Sequence, residues 1–252
     1  MVTRALTISS ADGTLDATLH SPGGEGPFPT VILFTDIRGV RTAYAALADT
    51  IAAQGYAVVL PNLFYRDGRA PLIDPASPFD DAARARAQAY RARLTVEALG
   101  RDFDALLAGL GQAPEADLAR IGVVGYCFSG ALALRFAAAF PDQVLAAASF
   151  HGGHLAVANH ADSPHLLAPR IKASVYIGHA DQDASAPPEQ IARLDGALAA
   201  SGVAFTTEFY KGARHGWTVD GAAYDAKASA RHLRRVLQLL DEALGAEVGN
   251  RP

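Results

Sequence analysis

Residues 5–10 and 15–20 alternate apolar with polar side chains, and Asp12-Gly13 lies between them. Period-two alternation around a turn dipeptide predicts an antiparallel hairpin. Farther along, the alternation gives way to short β-rich runs. These are residues 30–35 (TVILFT), 56–60 (YAVVL), 121–124 (IGVV), 144–150 (VLAAASF), 174–178 (SVYIG) and 204–210 (AFTTEFY). Runs of this length between turn formers predict strands, mostly buried on both faces. Between them, residues 44–54, 80–110, 131–139, 187–200 and 222–244 have helical spacing or strong helix formers. Leu47 and Ile51 share a face of the first helix, and Gly55 ends it. A break in the second is expected near Gly100-Arg101, and Pro187-Pro188-Glu189 opens the fourth. Residues 21–29 form a Gly- and Pro-rich loop. Residues 69–80 make an irregular excursion with Pro71, Pro75 and Pro78, residues 155–169 a polar loop, and the chain closes in a short polar tail. Strands alternating with helices after a hairpin predict an α/β fold. Its core would be a mostly parallel sheet of about eight strands flanked by helices.

The chain has 252 residues, half of them apolar, which suffices for one α/β domain over residues 1–252. A net charge of −4 and a pI near 6.0 give no basic footprint for nucleic acid. No apolar run reaches membrane-spanning length, and the amino terminus lacks a signal-peptide core. One cysteine excludes an internal disulfide and fits a reducing compartment, so a cytoplasmic location is expected. Monomer and homodimer both remain open.

That one cysteine stands at the most informative stretch, residues 120–130 (RIGVVGYCFSG). A strand ends at Gly125 and a helix follows, with Gly125 and Ser129 flanking Cys127 two residues away on each side. A nucleophile on a sharp strand-to-helix turn requires small residues at those positions. The helix start favours a thiolate and a developing oxyanion. Two other readings stand beside this one. Cys127 alone is equally well a small buried hydrophobe. Ser129 also has small flanks, although it falls inside the first helical turn.

Other residues after strands decide between them. Asp181 and Asp183 follow the 174–178 strand, and His215 follows the 204–210 strand in a Gly-flanked loop. The order nucleophile, acid, histidine, each after a strand, is the α/β-hydrolase arrangement. Either aspartate could serve, or act only in turn formation. His151 and His154 have metal-like spacing, yet no third ligand accompanies them, so no metal and no other cofactor is expected. In the loop after the first buried strand, Asp36 and Arg38 would be a surface ion pair or part of the site. Arg86 and Tyr90 stand four apart and share a helix face.

With these residues in place, the chain resembles the dienelactone hydrolases (carboxymethylenebutenolidases) over nearly its whole length. Residues 125–130 (GYCFSG) resemble the family's G-Y-C-x-G-G elbow, with Ser129 in place of a glycine. Asp183, four residues before Pro187, matches the family's catalytic aspartate, and residues 212–217 (GARHGW) resemble its A-G-H-S-F segment. Residues 36–40 (DIRGV) resemble E-I-F-G-V, and residues 86–90 (RAQAY) resemble R-x-Q-A-Y. The resemblance implies a Cys127–Asp183–His215 triad and oxyanion N–H groups from Ile37 and Phe128. It also implies thiol control by Asp36 and substrate binding by Arg86 and Tyr90, with Arg38 as a helper. Two departures bear on substrate. Asp36 stands where the family has Glu, and Val219 stands where a second substrate-binding arginine follows the histidine by four residues. The expected activity is hydrolysis of a small ester or lactone through an acyl-thioester. A thioesterase or peptidase using the same triad, and a non-catalytic binding protein of this fold, are the alternatives.

Overall fold

The computed structural model describes residues 1–74, 77–181 and 183–245. Pro75 of the irregular excursion and the polar tail beyond Gly245 lie outside the described residues. Eight strands form a mixed, mostly parallel sheet flanked by helices, as the hydrophobic pattern and the resemblance both led us to expect. The described residues divide into two compact units, one over residues 1–118 and one over residues 119–245.

In the first unit, β1 (Val2–Ser10) and β2 (Gly13–Ser21) form the expected hairpin, with Val2 opposite Ser21 and Ser10 opposite Gly13. β2 runs antiparallel to β4 (Ala57–Pro61), which lies parallel to β3 (Phe28–Phe34). β3 and β4 are buried almost throughout, whereas β1 alternates, as one open face requires. α1 (Thr42–Ala52) is tied to β2 by the 2.8 Å hydrogen bond between His20 Nδ1 and Asp49. The long helical stretch is two helices, α2 (Asp81–Ala92) and α3 (Val96–Leu110), broken at residues 93–95 rather than at Gly100. Thr95 decides this. Its hydroxyl accepts the Ala98 N–H and starts a new helix, and Gly100 is carried inside it.

In the second unit, β5 (Ala116–Tyr126), β6 (Val144–Phe150), β7 (Ser174–Ala180) and β8 (Phe205–Tyr210) run parallel and side by side in chain order. β7 is two residues longer than expected and includes His179 and Ala180. A 3-10 helix, Pro164–Arg170, interrupts the polar loop at 155–169. α4 (Gly130–Ala139), α5 (Pro188–Ala200) and α6 (Ala226–Leu244) complete the unit, with Asp225 rather than residue 222 starting α6 by capping Ala228. Successive β6 residues point to opposite faces. Ser149 lies where a side chain on Gly130 of α4 would fall, and the Phe150 ring meets His232 of α6 at 4.4 Å. Four parallel strands place the residues that follow them at one edge, the edge where sites form in such sheets.

Two glycines separate packing from propensity. A Cβ on Gly122 of β5 would lie 2.5 Å from Leu240 Cδ2, and Leu240 is fully buried. Gly122→Ala should cost about 1–3 kcal/mol by overpacking. A Cβ on Gly100, in the interior of α3, meets nothing within 4 Å. Gly100→Ala should gain roughly 0.5–1 kcal/mol of helix stability. Thermal unfolding of the two variants should therefore shift Tm in opposite directions.

Candidate active site

The elbow begins where β5 ends. Cys127 has φ 59°, in the left-handed region that non-glycine residues seldom enter. The turn is possible because Gly125 has no side chain: a Cβ there would lie 2.1 Å from the Ser129 carbonyl oxygen. Cys127–Ser129 make a single 3-10 turn, and α4 starts at Gly130. Ser129 is wholly buried, and its hydroxyl accepts the Tyr126 N–H at 2.8 Å while donating to the Tyr126 carbonyl at 2.9 Å. It braces the elbow and points back into the strand. Cys127, by contrast, is a free cysteine and partly exposed.

His215 follows β8 in the same unit. Its Nδ1 donates to Asp183 Oδ2 at 2.6 Å, and the Cys127 side chain interacts with the same ring. With Nδ1 taken by the carboxylate, Nε2 is the nitrogen left for sulfur. Asp183 Oδ1 also accepts from the Ser185 hydroxyl at 2.7 Å and the Ser185 N–H at 2.9 Å. Burial alone would lower the His215 pKa, but the hydrogen bonds to Asp183 and Cys127 outweigh it and raise the value to about 10. Burial likewise would raise Asp183, yet the His215 and Ser185 bonds hold it down at about 2.

Asp181 does different work. Its Oδ2 accepts the Gly212 N–H at 3.0 Å, and its own N–H donates to the Ala213 carbonyl at 2.9 Å. It ties the loop after β7 to the loop that carries His215. His151, after β6, lies against the elbow: the Cys127 N–H donates to its Nδ1 at 3.1 Å.

The remaining expected residues belong to the first unit. Asp36 does not pair with the Arg38 guanidinium. Arg41 takes it in a bidentate pair, 2.7 Å to each oxygen, and Arg38 contributes only its backbone N–H at 2.9 Å. Arg41 is nine-tenths buried and stacks over Tyr44, so its charge needs a fixed partner. The Arg38 guanidinium lies over the Phe79 ring at 5.2 Å. Ile37 sits between them, half-buried. Arg86 is exposed on α2, and Tyr90, one turn on, is half-buried beside the Phe64 ring at 5.8 Å. Among the described residues no cluster of metal-binding side chains occurs and no helix is long and apolar enough to cross a membrane.

Residues 15–244 match the Dienelactone hydrolase family. The chain belongs to that family. It is 37% identical over 128 residues to a carboxymethylenebutenolidase of Rhodococcus opacus, covering 51% of this chain and 46% of that protein. A carboxymethylenebutenolidase of Pseudomonas putida is 33% identical over 141 residues, covering 55% and 57%. The chain thus spans about half the length of these curated relatives. Among solved structures, one from Klebsiella pneumoniae superposes with TM-score 0.82 at 23% identity over 96% of this chain and 98% of that one, a likeness of fold. A dienelactone hydrolase-like promiscuous phosphotriesterase from metagenomic libraries superposes with TM-score 0.79 at 25% identity, over 97% and 99%.

Family membership did not reveal two residues that the structure does. Arg41 carries no sequence signal beyond a lone charge in the first loop. His151 was visible only as half of a rejected metal pair.

The His215–Asp183 pair has a pH signature. His215 binds its proton more tightly when folded, so its stabilisation is complete below about pH 6.5 and is lost as pH rises through about 10. Asp183 contributes fully above about pH 3.8 and loses its contribution as pH falls through about 2. Asp183→Asn should therefore lower Tm most between about pH 4 and 6.5, with the loss shrinking toward pH 10.

Proposed function

We propose that this chain hydrolyses small esters or lactones through Cys127, His215 and Asp183. The observation that carries the reading is the 2.6 Å Asp183–His215 hydrogen bond, with the same imidazole interacting with Cys127 on a left-handed elbow at a helix start. In the forward step the Cys127 thiolate attacks the carbonyl carbon, and the electron pair of the C=O bond moves to oxygen. The Phe128 N–H lies at the helix start, and by the family match Ile37 supplies a second N–H to that oxyanion. The intermediate collapses, the C–O bond to the leaving group breaks, and His215 Nε2 gives the alkoxide a proton. An acyl-thioester remains. Neutral His215 then takes a proton from water, the hydroxide adds to the thioester, and the thiolate leaves with the acid as product. Asp183 holds the tautomer throughout and stabilises the imidazolium.

By the family resemblance, substrate selection turns on Arg86 and on position 219. Arg86 is exposed, has no ion-pair partner among the described residues, and is the group to take a substrate carboxylate. Val219 fills the position of a second arginine and is buried. Losing one charged hydrogen-bond partner costs roughly 1.5–3 kcal/mol, about one to two decades in kcat/KM. Dienelactone should therefore be turned over poorly, and neutral esters or lactones of similar size should compete well. A panel of p-nitrophenyl esters, lactones, dienelactone and a phosphotriester tests this, with Cys127→Ala as the control. Preference for dienelactone by orders of magnitude would sink the specificity argument. Activity that survives Cys127→Ala would sink the nucleophile.

Intact mass after a thiol-directed ester analogue should show one adduct, on Cys127. An adduct on Ser129 would overturn the assignment. Asp183→Asn should lower kcat on the order of 10²–10⁴-fold. Asp181→Asn should change it little, because an asparagine oxygen still accepts the Gly212 N–H. The reverse pattern would show that Asp181 is the acid.

A further inference from the structure

His151 touches Cys127 and takes no part in the proton transfers above. It stands directly after β6, 1% exposed, with φ 40°. Its Nδ1 receives the Cys127 backbone N–H at 3.1 Å, and its Nε2 lies 3.0 Å from Thr218 Oγ1. A peptide N–H can only donate, so Nδ1 is an acceptor here. The ring proton is then on Nε2 and is given to Thr218. Both nitrogens are engaged and the ring is neutral. Burial and the neighbouring His215 and His232 hold its pKa well below the usual histidine range. No carboxylate bonds either nitrogen, so His151 lacks the partner that makes His215 a base.

The far end of this contact is the loop that carries the base. Thr218 is the third residue after His215, and its carbonyl accepts the Ser229 hydroxyl of α6 at 2.8 Å. The His151 ring also lies 5.0 Å from the His215 ring and 4.9 Å from Trp217, which is fully buried. One imidazole therefore spans from the nucleophile's own amide to the histidine loop. We infer that His151 is a positioning residue, which fixes the strained Cys127 backbone and sets the His215 loop against the sulfur. The inference rests on the reading of Cys127 as the nucleophile. Because the Cys127 amide is committed to His151, it does not serve the oxyanion.

The test compares His151→Leu, His151→Asn and Thr218→Val with the parent, using a p-nitrophenyl ester for kcat and KM. The rate of iodoacetamide alkylation at Cys127, followed by intact mass, is the second readout, and circular dichroism checks folding. His151→Leu removes the acceptor and should lower kcat about tenfold to a hundredfold with KM little changed. Asn places an oxygen where Nδ1 stood and tolerates positive φ, so His151→Asn should recover most of that loss. Thr218→Val leaves the backbone at 151 untouched and frees the ring to change tautomer, so it should lower kcat several-fold. Equal losses in His151→Leu and His151→Asn, or a Thr218→Val enzyme with parental kcat, would overturn the inference. If His151→Leu does not fold, the other two variants decide it. The alkylation rate separates this failure from failure of the nucleophile reading. It should differ between His151→Leu and the parent whatever the substrate, and an unchanged rate in folded protein overturns the positioning role alone. Loss of the nucleophile reading would instead show as full activity in Cys127→Ala.

Discussion

The structure around the site depends on a close approach of main chain to main chain at Gly125. The Ser129 carbonyl comes so near that any Cβ at 125 would overlap it. This approach lets the chain reverse from strand to helix in three residues, and the reversal places Cys127 in a left-handed conformation. Two further tight contacts continue the same constraint. Side chains on Gly130 or Gly152 would each strike the Ser149 hydroxyl, at 2.1 and 2.2 Å. The start of α4 and the loop after β6 therefore both sit down on one small residue of β6. Backbone strain of this kind persists only where neighbouring packing over-determines it. Here the over-determination is the Ser129 hydroxyl bonded to both polar groups of Tyr126, the Gly130–Ser149 contact, and the His151 bond to the Cys127 amide.

Three histidines of the second unit show how burial assigns charge. His151 and His232 are wholly buried, and both are held below the usual histidine range, His232 at about 3. His232 lies between the Tyr126 hydroxyl at 2.8 Å and the Ser229 carbonyl at 3.3 Å, which fixes its proton on Nδ1. His215 is about one-third exposed and has a carboxylate at 2.6 Å, and it alone is raised. Neutral histidines with fixed tautomers are struts, and the charged one is the proposed proton carrier. Two charged imidazoles at 5.0 Å would repel, so the neutrality of His151 is also what allows His215 to hold its proton.

The residues of the proposed triad could be picked out because their signals are local. Each member follows a β-rich run, and the order along the chain is itself diagnostic. The choice of Asp183 came from its spacing to Pro187, and the structure supplies a physical reason: Asp181 is occupied by the backbone of the next loop. What the sequence hid is non-local or conformational. Arg41 has to be seen across from Asp36 before its role is plain, and nothing in residues 36–41 ranks it above Arg38. His151 acts through a backbone N–H, which no side-chain pattern announces. The displaced break between α2 and α3 has the opposite origin. Gly100 is a real penalty of about 1 kcal/mol, but a capping hydroxyl at Thr95 with an apolar face over α3 outweighs it.

The proposed catalytic residues and the candidate substrate contacts fall in different parts of the chain. Cys127, His151, Asp183 and His215 are all set by the four parallel strands of the second unit, while Asp36, Arg38, Arg86 and Tyr90 belong to the first. Val219 is the exception, because it lies on the loop that carries His215. Asp36 was expected to bear on the thiol through its charge. With Arg41 bidentate on it, that carboxylate is already compensated, and breaking a nine-tenths buried arginine from its partner is costly. Its first effect is therefore on the shape of residues 36–41. A shorter side chain than glutamate suits this arrangement, since it keeps both oxygens on Arg41 while one of them also caps the Arg38 N–H. Asp36 and Arg41 together make a loop fixed by an internal ion pair.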